Sequence, residues 1–122
     1  MTYRKVTKPT DVREELRESA AAALAVGMDV QEFRVRDLTV LHVDGKIFQP
    51  HRNLDDALKL LFHAQMFSVG GHSPVVRLAV SAYDTRVQIG AGRWHVYNHE
   101  PSPGHAMRAA ILEAFAGQYH AS

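Results

Sequence analysis

Apolar residues recur at helical spacing in three stretches of the chain, and the segments between these stretches show the alternation typical of β-strands. The order of elements is helix, hairpin, helix, strands, helix. Strands that follow one another through short turns pair in antiparallel fashion, and helices then cover the sheet. The pattern therefore predicts an α+β fold with an antiparallel sheet of about four strands, covered by two or three helices in helix–sheet–helix layers.

The ends of the three helices are marked by residues with capping preferences. The first helix is expected to start after Asp11 and to end at Gly27. Asn53 is expected to cap the second helix, and Ser102, followed by proline, is expected to cap the third. Gly117 is expected to end the third helix.

The strand segments are separated by turn-forming residues. A long strand-like segment over 31–43 changes its phase of alternation near Asp37, which predicts a bulge or a break. Asp44-Gly45 is a favoured two-residue hairpin turn. A further strand is expected to turn at Asp84-Thr85 before a strand pair over 86–98.

Length and charge limit the classes of function. The chain has 122 residues, which predicts one domain over residues 1–122, with 1–10 expected as a loosely ordered arm. Fourteen Lys and Arg against thirteen Asp and Glu give a net charge of +1, which argues against a large phosphate-binding surface. No signal peptide or membrane-spanning stretch is evident, so we expect a cytoplasmic protein without a membrane partner.

Histidine is unusually frequent, with eight residues, so a metal site has to be considered. His95, His99 and His105 lie within eleven residues, and His42 is a candidate on a neighbouring strand. A zinc site needs three or four ligands that converge on one point, and the spacing matches no established ligand motif. We therefore predict no cofactor and no metal, and keep these histidines as the weak alternative.

Motifs for catalysis are absent from the sequence. It has neither a Gly-x-Ser-x-Gly elbow nor a cysteine nucleophile. Gly70-Gly71-His72-Ser73 is explained by the end of a helix, and Gly90-Ala91-Gly92-Arg93 lacks the rest of a phosphate-binding motif. These observations predict a protein that is not an enzyme.

Binding is the function that the remaining residues favour. Trp94 and Val96 alternate with Arg93, His95 and Tyr97, and the simplest arrangement buries Trp94 and leaves the cations on the solvated face. Cations and aromatic residues on one strand are also typical of single-stranded nucleic-acid platforms. The predicted binding residues, for protein or nucleic acid, are Arg77, Tyr83, Arg86, Arg93, His95 and Tyr97.

Two parts of the sequence resemble a known family. The segment from Phe48 to Ala57 has an aromatic-x-Pro entry to a helix, and Arg93-Trp94-His95-Val96 is followed by a small-residue Arg-Ala-Ala helix over 102–110. Both are similar to the phage ABA-sandwich domain and related tailed-phage proteins of unknown function. The chain departs from that pattern in starting the central helix with Asn53 and in its Gly90–Gly92 insert.

The resemblance implies a small phage or prophage accessory protein with helix–sheet–helix layers and no catalytic residues. We therefore expect a non-enzymatic protein that binds a host or phage protein in the host cytoplasm, for example as an inhibitor of a host defence or regulatory factor. A single-stranded nucleic-acid-binding domain is the first alternative, and a histidine metal-binding protein is the second. Self-association into a homo-oligomer stays open, because several aromatic and Met residues have no place in a helix stripe or strand face.

Overall fold

The computed structural model describes residues 2–66 and 75–121 of the chain. In chain order the elements are β1 (Thr2–Lys5), a short 3-10 helix (Pro9–Asp11), α1 (Glu14–Ala25), β2 (Val30–Val35), β3 (Leu38–Val43), β4 (Lys46–Ile47), α2 (Leu54–Met66), β5 (Val76–Val80), β6 (Asp84–Ile89), β7 (His95–Asn98) and α3 (Pro103–Ala121). The predicted α+β class with a four-stranded antiparallel sheet is confirmed.

The first sheet has the strand order β1-β2-β3-β4, and all its pairs are antiparallel. Asp44 and Gly45 have φ values of 54° and 75°, so they form the predicted hairpin turn. The phase slip near Asp37 is a break between two strands, where Arg36 has a φ of 54°. The expectation of a loosely ordered arm is wrong for Thr2–Lys5, because these residues pair with β2 along the edge of the sheet.

The second sheet, with the order β5-β6-β7, was not expected as a separate sheet. The chain turns before Asp84, because the Ser81 hydroxyl oxygen accepts the backbone N–H groups of Tyr83 at 3.1 Å and Asp84 at 3.0 Å. The predicted turn at Asp84-Thr85 is therefore wrong, and both residues belong to β6.

The helices connect the two sheets. α1 packs against α3 and contacts β2 and β3, while α3 packs against β6 and β7. Small side chains allow this close approach, since residues 20–23 of α1 are all buried alanines. The layers differ from the expected helix–sheet–helix order because the strands after α2 form a sheet of their own on α3.

Two of the three predicted helix caps are confirmed, whereas the prediction of Asp11 as the cap of the first helix is wrong, because Arg13 precedes the first residue of α1 and makes no capping side-chain hydrogen bond. Asn53 Oδ1 accepts the backbone N–H of Asp55 at 2.9 Å, and Ser102 Oγ accepts that of His105 at 3.2 Å. Gly117 does not end α3, which continues to Ala121. None of the helices that the structure describes is long and apolar enough to cross a membrane.

Candidate functional site

Five of the six predicted binding residues lie on the two sides of the second sheet, and Tyr83 lies in the turn between β5 and β6. His95 and Tyr97 of β7 pair in register with Val87 and Thr85, which are buried on the side that faces α3. Strand alternation then places Trp94 and Val96 on the opposite side. Trp94 is 41% exposed, so the expectation of a buried Trp94 with solvated cations is wrong.

On the inner side, Glu113 of α3 brings three donors together. Nδ1 of His95 lies 3.0 Å from Glu113 Oε1, and Nη2 of Arg93 lies 3.5 Å from the same oxygen. The hydroxyl of Tyr97 donates a hydrogen bond to Glu113 Oε2. We call Arg93, His95, Tyr97 and Glu113 the Glu113 cluster. It fixes the orientation of the imidazole and the phenol, and links β7 to the helix that covers it.

The Glu113 cluster changes the acidities of its members. The hydrogen bond to Glu113, together with burial, raises the pKa of Tyr97 to about 12. Burial acts to raise the pKa of Glu113, but the hydrogen bonds from Tyr97 and His95 outweigh it, so this pKa lies below its usual value. Loss of hydration, with the negative charge of Glu113 as the second cause, raises the pKa of Glu18 on α1.

A groove of about 530 Å³ runs beside the cluster, between α1 and α3. Its charged lining includes Glu14, Arg17 and Glu18 from α1, with Arg93 and Glu113 from the cluster. Side chains of both charges therefore line the groove.

Sequence reasoning missed Glu113, although a signal was present. It is the only acidic residue after position 100, and it interrupts the apolar stripe of an otherwise neutral or basic helix. An isolated carboxylate beside a buried helix face needs donors from a neighbouring element. Arg93, His95 and Tyr97 supply these donors.

The side of the second sheet that faces away from α3 carries a mixed set of side chains, which we call the outer face: Arg77, Arg86, Gln88, Trp94 and Val96. Arg86 lies between Ala79 and Val96 in register, and Arg77 lies opposite Gln88. Both arginines and Val96 are exposed together with Trp94.

Two neighbours of the outer face affect its charge and its shape. Asp84 accepts hydrogen bonds from Arg86, with an Nη2–Oδ2 distance of 3.1 Å, and the same bonds lower the pKa of Asp84. Tyr83 is 81% exposed in the turn between β5 and β6. The outer face thus combines apolar and aromatic side chains with two arginines, and Asp84 neutralises the charge of one of them, Arg86.

The weak metal candidates are not brought together. His95 binds Glu113, whereas Nε2 of His99 lies 3.0 Å from Thr85 Oγ1. His105 is exposed in the first turn of α3, and His42 belongs to the first sheet. Over residues 2–66 and 75–121, no group of three or more metal-ligating side chains occurs.

Comparisons with protein-family models, with curated proteins and with solved structures gave no match. The resemblance to the phage ABA-sandwich domain therefore stays a prediction.

Proposed function

We propose that the chain is a non-enzymatic binding protein that contacts a protein partner through its outer face. The observation that carries this proposal is the exposure of Trp94 on the same face as Arg77 and Arg86. Tryptophan and arginine, with tyrosine, supply most of the binding energy at protein interfaces. Tyr83 extends the same kind of surface at the adjacent turn.

The pairing of the cations favours a protein partner over a nucleic acid. Of the three predicted binding arginines, Arg86 is bound to Asp84 and Arg93 to Glu113, whereas the guanidinium of Arg77 lies 3.5 Å from the amide oxygen of Gln88. Phosphate binding depends on cations that replace the counterions of the nucleic acid. With a net charge of +1 for the chain, little positive charge is left for that purpose.

The resemblance to the phage ABA-sandwich family extends the proposal to the identity of the partner. A phage-encoded protein of this size that acts by stoichiometric binding would meet a host defence or regulatory factor in the host cytoplasm. This part of the proposal rests on the sequence segments described above and on no contact in the structure.

The proposal is tested by affinity capture from bacterial lysate, with and without nuclease, followed by mass spectrometry. We expect a stoichiometric protein partner that survives nuclease and is lost with the double variant Arg77→Ala/Trp94→Ala. The double variant Arg36→Ala/Leu38→Ala, which changes exposed residues in the β2–β3 turn and at the start of β3, serves as the matched control and should retain the partner. Equal capture by both double variants would show that the outer face is not the binding surface.

A single-stranded nucleic acid is the second candidate, because exposed Trp94 could stack on bases beside Arg77. If the partner is a nucleic acid, nuclease treatment abolishes the capture of material from the lysate, and the binding affinity falls steeply as the salt concentration rises. A salt-insensitive, nuclease-resistant complex contradicts this candidate.

A further inference from the structure

We propose that two copies of the chain associate through β5, in antiparallel orientation, with Leu78 on the two-fold axis. The two three-stranded sheets then form one continuous sheet across the interface. This inference is independent of the outer-face proposal, because it depends on the edge of the second sheet and on its opposite side.

β5 is an edge strand with exposed residues. In the part of the chain that the structure describes, it pairs with β6 alone. Its residues 77–80 are all exposed, the strand contains no proline, and its one charged side chain, Arg77, lies on the opposite side of the sheet from Leu78 and Val80. An edge of this kind is a template for a further strand.

The backbone of β5 presents alternate residues to that edge. The N–H of Gly90 donates to the carbonyl of Val75 at 2.8 Å, and the N–H of Ser81 donates to the carbonyl of Asp84 at 2.9 Å. Odd-numbered residues of β5 therefore bond to β6, because bonded positions alternate along an antiparallel strand. The N–H and C=O groups of residues 76, 78 and 80 point away from β6, toward the open edge.

The side chains of these same residues form an apolar row. Leu78 and Val80 lie opposite Val87 and Thr85 in register, on the side of the sheet that α3 covers. α3 packs against β6 and β7, and at β5 it leaves Leu78 42% and Val80 55% exposed. The apolar side chains of the sheet thus continue from β6 to β5, beyond the part that α3 covers. In a dimer, the same side chains of the second copy would lie next to them.

The sequence of β5 is complementary to itself in this register. With Leu78 on the axis, Val76 lies opposite Val80 of the second copy, and Arg77 lies opposite Ala79. The strand's one charged residue, Arg77, therefore lies directly opposite an alanine, and the two copies of Arg77 are diagonal neighbours on the exposed outer side of the sheet instead of a directly opposed pair. Residues 76, 78 and 80 also meet as hydrogen-bonded pairs, which supply about six backbone hydrogen bonds. A two-fold axis requires exactly this self-complementarity.

The absence of cysteine from the chain allows a direct test of the register. Hydrogen-bonded partners in an antiparallel pair have Cα atoms about 5.5 Å apart, within the range that a disulfide spans. Leu78→Cys is therefore expected to give a disulfide-linked dimer under mild oxidation. In Val80→Cys the two thiols would lie about 13 Å apart along the strands, so this matched variant is expected to stay uncrosslinked.

Sedimentation velocity tests the association itself. The unchanged chain and Leu38→Lys, which alters an exposed apolar residue of the first sheet, are expected to be dimers. Leu78→Lys is expected to be a monomer, because it places two ammonium groups together on the axis. Circular dichroism checks that each variant is folded, and the cysteine pair decides the question if Leu78→Lys does not fold. A monomeric unchanged chain, or equal crosslinking of both cysteine variants, overturns the proposal.

Discussion

Tyr97 on β7 donates its hydroxyl hydrogen to the carboxylate of Glu113 on α3, and this contact ties the second sheet to the helix that covers it. The same carboxylate lies 3.0 Å from the imidazole of His95, so one acidic residue orients two inward-facing side chains of β7. The alternating residues of β7 must then face outward. The exposure of Trp94, on which the proposed function rests, is thus a consequence of the inner contact.

We expect Tyr97→Phe to lower the free energy of unfolding by about 1 kcal/mol at pH 8, because it removes a hydrogen bond to a charged acceptor. The contribution is fully present below pH 10, the ordinary pKa of tyrosine, and is lost as the pH rises toward the folded-state value of about 12. Urea denaturation of the variant checks the first value, and absorbance titration of the phenols checks the second. Tyr83→Phe, at an exposed turn, is the control and should have little effect.

Glu18→Gln is expected to stabilise the protein at neutral pH. The pKa of Glu18 is raised by loss of hydration and by Glu113, so the folded state binds this proton more tightly than the unfolded state does. The ionised carboxylate therefore costs stability above its folded pKa, and the cost disappears below about pH 4.5, the ordinary value. Solvent screening keeps the gain under about 1 kcal/mol.

Urea denaturation of Glu18→Gln at neutral and acidic pH measures this difference. Glu15→Gln, an exposed residue of the same helix, is the matched control. A gain that is equal for both variants, or that persists at low pH, would contradict the raised pKa of Glu18.

His42→Phe is expected to raise the free energy of unfolding by about 1 kcal/mol. Both ring nitrogens of His42 are buried without a hydrogen-bond partner among the described residues, which is costly. The ring already packs against those of Tyr3 and Phe33, with centroid distances of 5.5 Å and 5.0 Å, so a phenyl ring suits the site. Chemical denaturation gives the change. His105→Phe, at an exposed position, should stay within about 0.5 kcal/mol of the unchanged protein.

Ala21→Leu is expected to destabilise the fold by about 1–3 kcal/mol, because Ala21 is fully buried in the helix α1 that packs on α3. Thermal or urea unfolding measures the loss. The same substitution at Ala25, which is only partly buried at the end of α1, provides the comparison and should cost less.

The features that the sequence predicted correctly are local ones. The turn at Asp44-Gly45 and the caps at Asn53 and Ser102 depend on a few consecutive residues, and all three are present. The apolar stripe of α3 was also predicted, since Ile111 and Phe115 are buried.

The errors concern contacts between distant segments. The inward face of β7 is decided by Glu113 on α3, and alternation alone cannot tell the two faces of a strand apart. In α2, helical spacing would place Phe62 on the same side as Leu58, yet Phe62 is exposed, while Ala57 and Leu60 are buried. The buried side of α2 is determined by its packing against α3, and the sequence of α2 alone does not indicate where α3 lies.

The packing of α1 on α3 also has a consequence for synthesis of the chain. The strands of each sheet are mostly neighbours in sequence, so β2 to β4 can pair while later segments are still being made. The alanine face of α1 has its main partner in α3, which follows the strands of both sheets in the chain. The buried interior therefore closes only once α3 has been synthesised, and until then the side of α1 that packs on α3 is exposed to solvent.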